Sequence, residues 1–192
     1  MIFETWKKDL IEKELPNKDD FRLETFLTTE VEVSRWASEG LPSDELSVQN
    51  GILTTSASRW PLCIDPQMQA VRWIKEKERK NPFEILTFNM GDYIKRLEMA
   101  IKFGKSVLFE AIDEDIDPMI DPVLEKNIIR KVGVDYLILG DQSIEYHEDF
   151  KMFMTTKISN PNYTPEIFAK TMIINFSVTM LGLRDQLLNE VV

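Results

Sequence analysis

The sequence predicts an α/β fold: a parallel sheet in three layers, with helices on both faces. Three observations carry this. The apolar run Leu62 to Ile64 and the stretch Ser106 to Ile112 (SVLFEAI) have the profile of buried strands, and Lys151 to Lys157 (KMFMTTK) reads as another strand. Between them lie stretches whose apolar residues recur at helical spacing. The two kinds alternate along the chain, as a parallel sheet and its crossover helices must. With 192 residues, 43% of them hydrophobic, the chain can bury one good core as a single domain.

In order, Phe3, Trp6 and Leu10 share a face of a first short helix that Pro16 stops. Asn17 to Asp20 is turn-like, and Phe21 to Phe26 starts a second helix with Asp19 or Asp20 as its cap. Val31 to Trp36 is a further short piece before the loop signal Gly40 to Asp44. Ser47 to Leu53 alternates weakly around Asn50-Gly51, a dipeptide that marks tight turns. After the strand at Leu62, a helix from Gln69 buries Ala70, Trp73 and Ile74 and leaves Lys75 to Glu78 for solvent. Glu84 to Phe88 reads as a strand, and Asp92 caps a helix carrying Ile94, Leu97 and Ile101 that Gly104 ends. Pro118 and Pro122 open a helix with Ile120, Leu124 and Ile128. Tyr136 to Leu139 and Ser143 to Tyr146 flank Gly140-Asp141-Gln142 as a β-hairpin. A short helix after Thr164-Pro165, a last strand over Thr171 to Thr179, and an amphipathic helix with Leu183, Leu187 and Leu188 complete the chain.

Composition excludes several function classes. A net charge of −10 lacks the basic footprint that nucleic acid or an anionic membrane needs. No run of 18 apolar residues and no secretory-type leader is present. Cys63 is the only cysteine, which excludes an internal disulfide and fits a reducing compartment; within a strand, it reads as a small core residue. His147 is the only histidine, so a histidine-rich metal site or a standard triad can hardly be built. Trp60, Trp73, Phe153 and Met172 fall at core spacing.

The chemistry is best tested between Leu62 and Ile74, where a strand, a turn and a helix lay out a phosphate-binding loop. Such a loop reads G-x-x-x-x-G-K-[ST], so that backbone amides and a lysine meet phosphate and a hydroxyl holds magnesium. Here the slots run Asp65, Pro66, Gln67, Met68, Gln69, Ala70, Val71 and Arg72. Asp65 and Ala70 replace the glycines, Val71 the lysine and Arg72 the hydroxyl, and a carboxylate stands where an anion would approach. It is a phosphate loop without its phosphate chemistry.

WPLCIDPQMQAVRWIK, the earlier GLPSDELSVQNGI, and the later TTKISNPNYTPEI and INFSVTMLGLRDQLL together resemble dynein heavy chains, with the closer likeness to the axonemal type. The chain is similar to the fifth of the six AAA+ modules in the motor ring. The resemblance implies a P-loop NTPase fold of AAA+ type with an inserted β-hairpin. Residues 1–39 would be a helical lead-in from the stalk and strut side, and 40–192 the large α/β subdomain, with the small helical subdomain absent. Met68 departs from the glycine usual in the family.

The resemblance also assigns the remaining slots. A working AAA+ site ends a strand in Asp-Glu, for magnesium and for orienting water; here Glu110 and Ala111 stand there, so the base is missing. Glu110 itself is read as a structural acceptor. Thr155 and Thr156 occupy the place of the γ-phosphate sensor, and with no phosphate to read they would bond loop backbone. The acidic run Asp113, Glu114, Asp115 and Asp117 lacks calcium-loop spacing and reads as a solvated loop. Lys170 stands where a neighbour-directed arginine finger would be; it reads either as a solvated lysine on a helix end or as a weaker trans-acting cation.

The implied function is a non-catalytic AAA+ module, a structural and mechanical ring element needing no cofactor or metal. Its implied partners are neighbouring modules of the same heavy chain and, through the parent motor, microtubules and dynein light and intermediate chains. The implied location is the cytoplasmic cytoskeleton, in a ciliary or flagellar axoneme. Two other classes stay open: a nucleotide-binding enzyme with an unorthodox loop, and a free-standing interaction domain.

Overall fold

The computed structural model describes residues 2–15, 23–131, 133–178 and 183. Its centre is a five-stranded, wholly parallel sheet in the order β2-β3-β7-β1-β8. The strands are β1 (Trp60–Ile64), β2 (Phe83–Leu86), β3 (Ser106–Phe109), β7 (Lys151–Thr156) and β8 (Thr171–Asn175). Each is joined to the next by at least one helix: α5 (Gln69–Glu78), α6 (Tyr93–Lys102), α7 (Asp121–Leu124) and α8 (Pro165–Lys170). Upstream lie α1 (Ile2–Glu12), α2 (Leu23–Leu27), α3 (Glu30–Ser38) and α4 (Glu45–Ser56).

Alternation along the strands sorts the core into two layers. Leu62, Val107, Phe109, Met152 and Met154 face one way, onto Leu97 and Ile101 of α6 and Ile120, Val123 and Leu124. Cys63, Leu108, Phe153 and Ile174 face the other way, onto Val71, Trp73 and Ile74 of α5 and Trp36, Leu41, Val48 and Ile52. Both faces of the sheet are therefore covered, which is why Leu62-Cys63-Ile64, Val107-Leu108-Phe109 and Met152-Phe153-Met154 run apolar without a break. Trp60, Trp73 and Phe153 are buried in these layers, and Met172 packs at the edge of the second.

Several local expectations need correction. Ser47 to Leu53 lies inside α4, not around a turn. Asp44 caps this helix by accepting from Ser47 N at 3.1 Å and Ser47 Oγ at 2.8 Å. Gly51 is there for close approach: a Cβ would lie 2.9 Å from Leu41 Cδ2 and 3.1 Å from Trp36 Cε3. Ile128 belongs to a strand, since α7 ends at Leu124 and Lys126 reverses the chain with φ +52°. That strand, β4 (Ile128–Lys131), makes the inserted hairpin of β5 (Val134–Leu139) and β6 (Gln142–Glu145) a three-stranded antiparallel sheet. β2 is set earlier than expected, β3 stops at Phe109, and β8 stops at Asn175. The proposed last helix falls largely outside the described residues; Leu183 alone is within them, helical and 43% exposed.

Glu78 was expected in solvent and is fully buried. It continues the Val71 and Ile74 stripe at the end of α5, and its carboxylate accepts from Ser106 Oγ at 2.9 Å and Asn81 Nδ2 at 2.8 Å. Helix end and strand start are thus joined by a satisfied polar contact. Burial alone would raise its pKa, but bonds from Asn81 and Ser106 and the charges of Lys77 and Lys151 outweigh it and hold the carboxyl below its ordinary range. Such stabilisation is present above the unfolded-state value of 4.5 and is lost as pH falls through the folded-state value. Glu78→Gln should lower stability at neutral pH by about 1–2 kcal/mol, read as a urea midpoint, and should weaken the acid dependence. An acid limb unchanged by the substitution would show that this carboxylate adds no ionic stabilisation.

Candidate functional site

The C-terminal ends of β1, β3 and β7 lie side by side, where open α/β sheets bind their ligands. The structure brings Asp65, Glu110, Ala111, Thr155 and Thr156 together along this edge. The loop leaves β1 tied to β7, because Asp65 N donates to Thr156 O at 2.8 Å. It turns at Met68, which adopts φ +60° and ψ 28°, the left-handed region that glycine favours. The glycine that the resemblance implies is a methionine here, and it takes the left-handed conformation that glycine favours. Met68 N donates to Asp65 O at 3.2 Å, and α5 begins at Gln69.

Met68 is the N-cap residue of α5 and makes no capping bond with its side chain. Asp65 supplies the cap instead, from four residues before Gln69. Its Oδ1 accepts from Gln69 N at 2.8 Å and its Oδ2 from Val71 N at 2.9 Å, and the side chain is almost wholly buried, at 1% exposure for the residue. Burial pushes its pKa above the ordinary carboxylate value, while the amides of Val71, Gln69 and Ala70 and the Arg72 guanidinium pull the other way. Gln67 and Arg72 are exposed, and Pro66 is half-buried. Ala70 and Val71 are buried in the second core layer, so the lysine slot of the loop is a core position.

At the end of β3, Glu110 N donates to Leu86 O at 2.9 Å, and Ala111 turns the chain with φ +53°. The Glu110 carboxylate forms an ion pair with Lys75 of α5, Nζ to Oε1 2.6 Å. A lysine therefore neutralises the acid in the metal slot. Thr155 Oγ1 donates to Phe109 O at 3.3 Å, and its carbonyl accepts from Ile112 N at 2.9 Å. Thr156 Oγ1 accepts from Ile158 N at 3.2 Å, and both threonines are buried. A cavity of about 330 Å³ opens beside Ala111, lined by Thr87, Asn89, Asp113, Asp115 and Asp117 among others. Its carboxylates repel a polyphosphate. Within the acidic run, Asp117 accepts from Met119 N and from the Tyr93 hydroxyl, and Glu114 from Asn162 N at 2.8 Å. Among the described residues, no group of three or more acidic, cysteine or histidine side chains is placed to hold a metal ion.

Lys170 stands apart. It ends α8 at the opposite edge of the sheet, where Thr171 of β8 pairs with Trp60, about 15 Å of strand from the loop. It is not a solvated lysine. Its side chain is 12% exposed, and Nζ lies 2.5 Å from Glu166, 3.0 Å from Asp121 and 3.3 Å from Glu125. The bond to Glu166 outweighs burial, and with Asp121 and Glu125 it pushes the ammonium pKa up.

Sequence reasoning missed Lys75, whose place on α5 gives no hint of a partner 35 residues on. It also missed that Asp65 folds back onto α5. Its signal, an acid shortly before a helix, was present but was read as an obstacle rather than a cap.

The ATP-binding dynein motor region family matches residues 34–192. Over its whole length the chain is 54% identical to human dynein axonemal heavy chain 10, and over 98% of it 55% identical to the Chlamydomonas reinhardtii dynein-1-alpha heavy chain of the flagellar inner arm I1 complex. It is 42% identical over its whole length to mouse dynein axonemal heavy chain 5. The chain spans about 4% of each of these relatives. A strand–loop–helix at the end of a central parallel strand, its flanking strand ends and these matches agree, and the chain belongs to the ATP-binding dynein motor region family.

Proposed function

We propose that this chain is a non-catalytic AAA+ module of an axonemal dynein heavy chain, the fifth of the ring, acting as a structural and mechanical element between ATP-hydrolysing neighbours. Residues 1–39 lead into the module and 40–192 form its large α/β subdomain. The observation that carries the reading is that the lysine slot and the first amides of α5 are both taken. The lysine slot is the buried Val71, and those amides already hold a carboxylate. Burying a triphosphate there with only the exposed Arg72 as a cation of the loop has little to offset its desolvation. The base slot is Ala111, and Glu110 is paired with Lys75. Neighbouring modules of the same heavy chain are the direct partners. Microtubules and the light and intermediate chains are reached through the parent motor, in the axonemal cytoskeleton.

Titration calorimetry with magnesium and ATP tests this, and no binding is expected. A micromolar dissociation constant, on the order of −8 kcal/mol, would overturn it in favour of an enzyme with an unorthodox loop.

Lys170 serves the same mechanical reading, as a tie between α8 and α7, whose first residue is Asp121 and whose C-cap is Glu125. A cation held by three carboxylates presents little net positive charge to a neighbour's phosphate. Lys170→Ala should cost about 1 kcal/mol of chain stability, because one cation serves three acids. In the intact motor it should leave hydrolysis at the preceding module unchanged. Slowed turnover there, with chain stability intact, would establish a trans-acting role.

A further inference from the structure

We infer that His147 is a protonation-dependent latch. Its neutral ring closes the turn that carries the inserted sheet into β7, seated against the end of α6. Its protonated ring exchanges a backbone partner for a carboxylate. The latch lies away from the loop at Asp65 and uses the chain's only histidine.

Residues 146–150 run from β6 into β7 and are anchored at both ends. Tyr146 N donates to Asp135 O at 2.7 Å, and the buried Phe150 packs edge-on against Trp60, with ring centroids 5.6 Å apart. Between these anchors, His147 N donates to Ile101 O at 3.2 Å, in the last turn of α6. The ring lies over Gly104, which follows that helix with φ +63°; a Cβ there would come 2.5 Å from Nδ1. Glycine thus meets two demands, a left-handed turn and a seat for the imidazole. Phe150 N donates to His147 O at 3.1 Å, and Asp149 N donates to His147 Nδ1 at 3.2 Å, so ring and backbone close the turn together. A ring nitrogen that accepts carries no proton, which puts the proton of the neutral ring on Nε2. Protonation makes both nitrogens donors, and Nδ1–H then faces the Asp149 N–H. That amide loses its acceptor, while Asp149 Oδ2, 3.6 Å from Nδ1, is at hand for the new donor. The end of α6 also favours a cation. The ring keeps its seat, and the turn loses a closing bond. The other charged groups around it are Glu145, Glu148 and Lys151 on its own segment, Lys102 and Lys105 beside Gly104, and Asp135 of β5. Among the described contacts none of them pairs with the ring: Lys105 is held by Glu84 at 2.6 Å, Asp135 by Arg130 at 3.5 Å, and Lys102 lies over Phe103.

The test is NMR of the 192-residue chain across about pH 5 to 8, the range in which histidine changes charge. With a single histidine, the imidazole signals identify themselves. The neutral ring should carry its proton on Nε2. The Asp149 amide resonance should move with the midpoint of the ring. On protonation its exchange protection, corrected for the pH dependence of exchange itself, should fall at least about tenfold, while the His147 amide keeps its protection. In His147→Asn an acceptor oxygen replaces Nδ1 without titrating, so the Asp149 amide should stay protected throughout. In Asp149→Asn the protonated ring finds no carboxylate, so the His147 amide should lose protection as well. A neutral ring protonated at Nδ1, or an Asp149 amide that does not follow the ring, overturns the inference. So does a native His147 amide that loses protection together with that of Asp149, because the ring then leaves its seat rather than changing partner. Folded variants that behave as the native chain overturn it too. If a variant does not fold, the tautomer and the shared midpoint in the native chain decide.

Discussion

The contact on which the rest of this edge depends is that of the Asp65 carboxylate with the first amides of α5. A helix start leaves donors that must find acceptors, and a buried start cannot leave them to water. One side chain four residues upstream answers them, and α5 begins at Gln69. The position of α5 then sets the second core layer, because Ala70, Val71, Trp73 and Ile74 all pack from it onto Cys63, Leu108, Phe153 and Ile174.

The neighbouring strand ends are fastened in a similar way. Asp65 N reaches Thr156 O, Ile112 N reaches Thr155 O, and Lys75 reaches Glu110. Each of these groups has a partner within the chain. Glu78 fixes the other end of α5 to β3 through Ser106, so the helix is held at both ends.

Much of this was legible in the sequence. The runs at Leu62 and Ser106 read as strands because a doubly covered strand is apolar over its buried length. The loop was legible because its chemistry is ordered along the chain. What failed was whatever depended on distant partners. Asn50-Gly51 carries a turn signal by composition, yet Gly51 exists for Trp36 and Leu41, which pack across it. Glu78 and Lys75 look like a solvated face, yet Ser106 and Glu110 are brought to them by the sheet. Ile128 continues a helical period that Lys126 breaks with a left-handed turn, and lysine gives no warning of that. The resemblance carried the family correctly; helix and strand boundaries were the weaker part.

The burial of Val71 has a consequence for how such a loop can change over generations. A lysine at that position would put an ammonium into a layer now filled by Trp73, Ile74 and Phe153, and beside an acid whose charge is already balanced. Installing it alone loses packing before it gains a ligand. Removing Asp65 alone leaves donors unanswered. Substitutions at the two positions are thus coupled: Val71 N donates to the Asp65 carboxylate, so a change at one alters the cost of a change at the other.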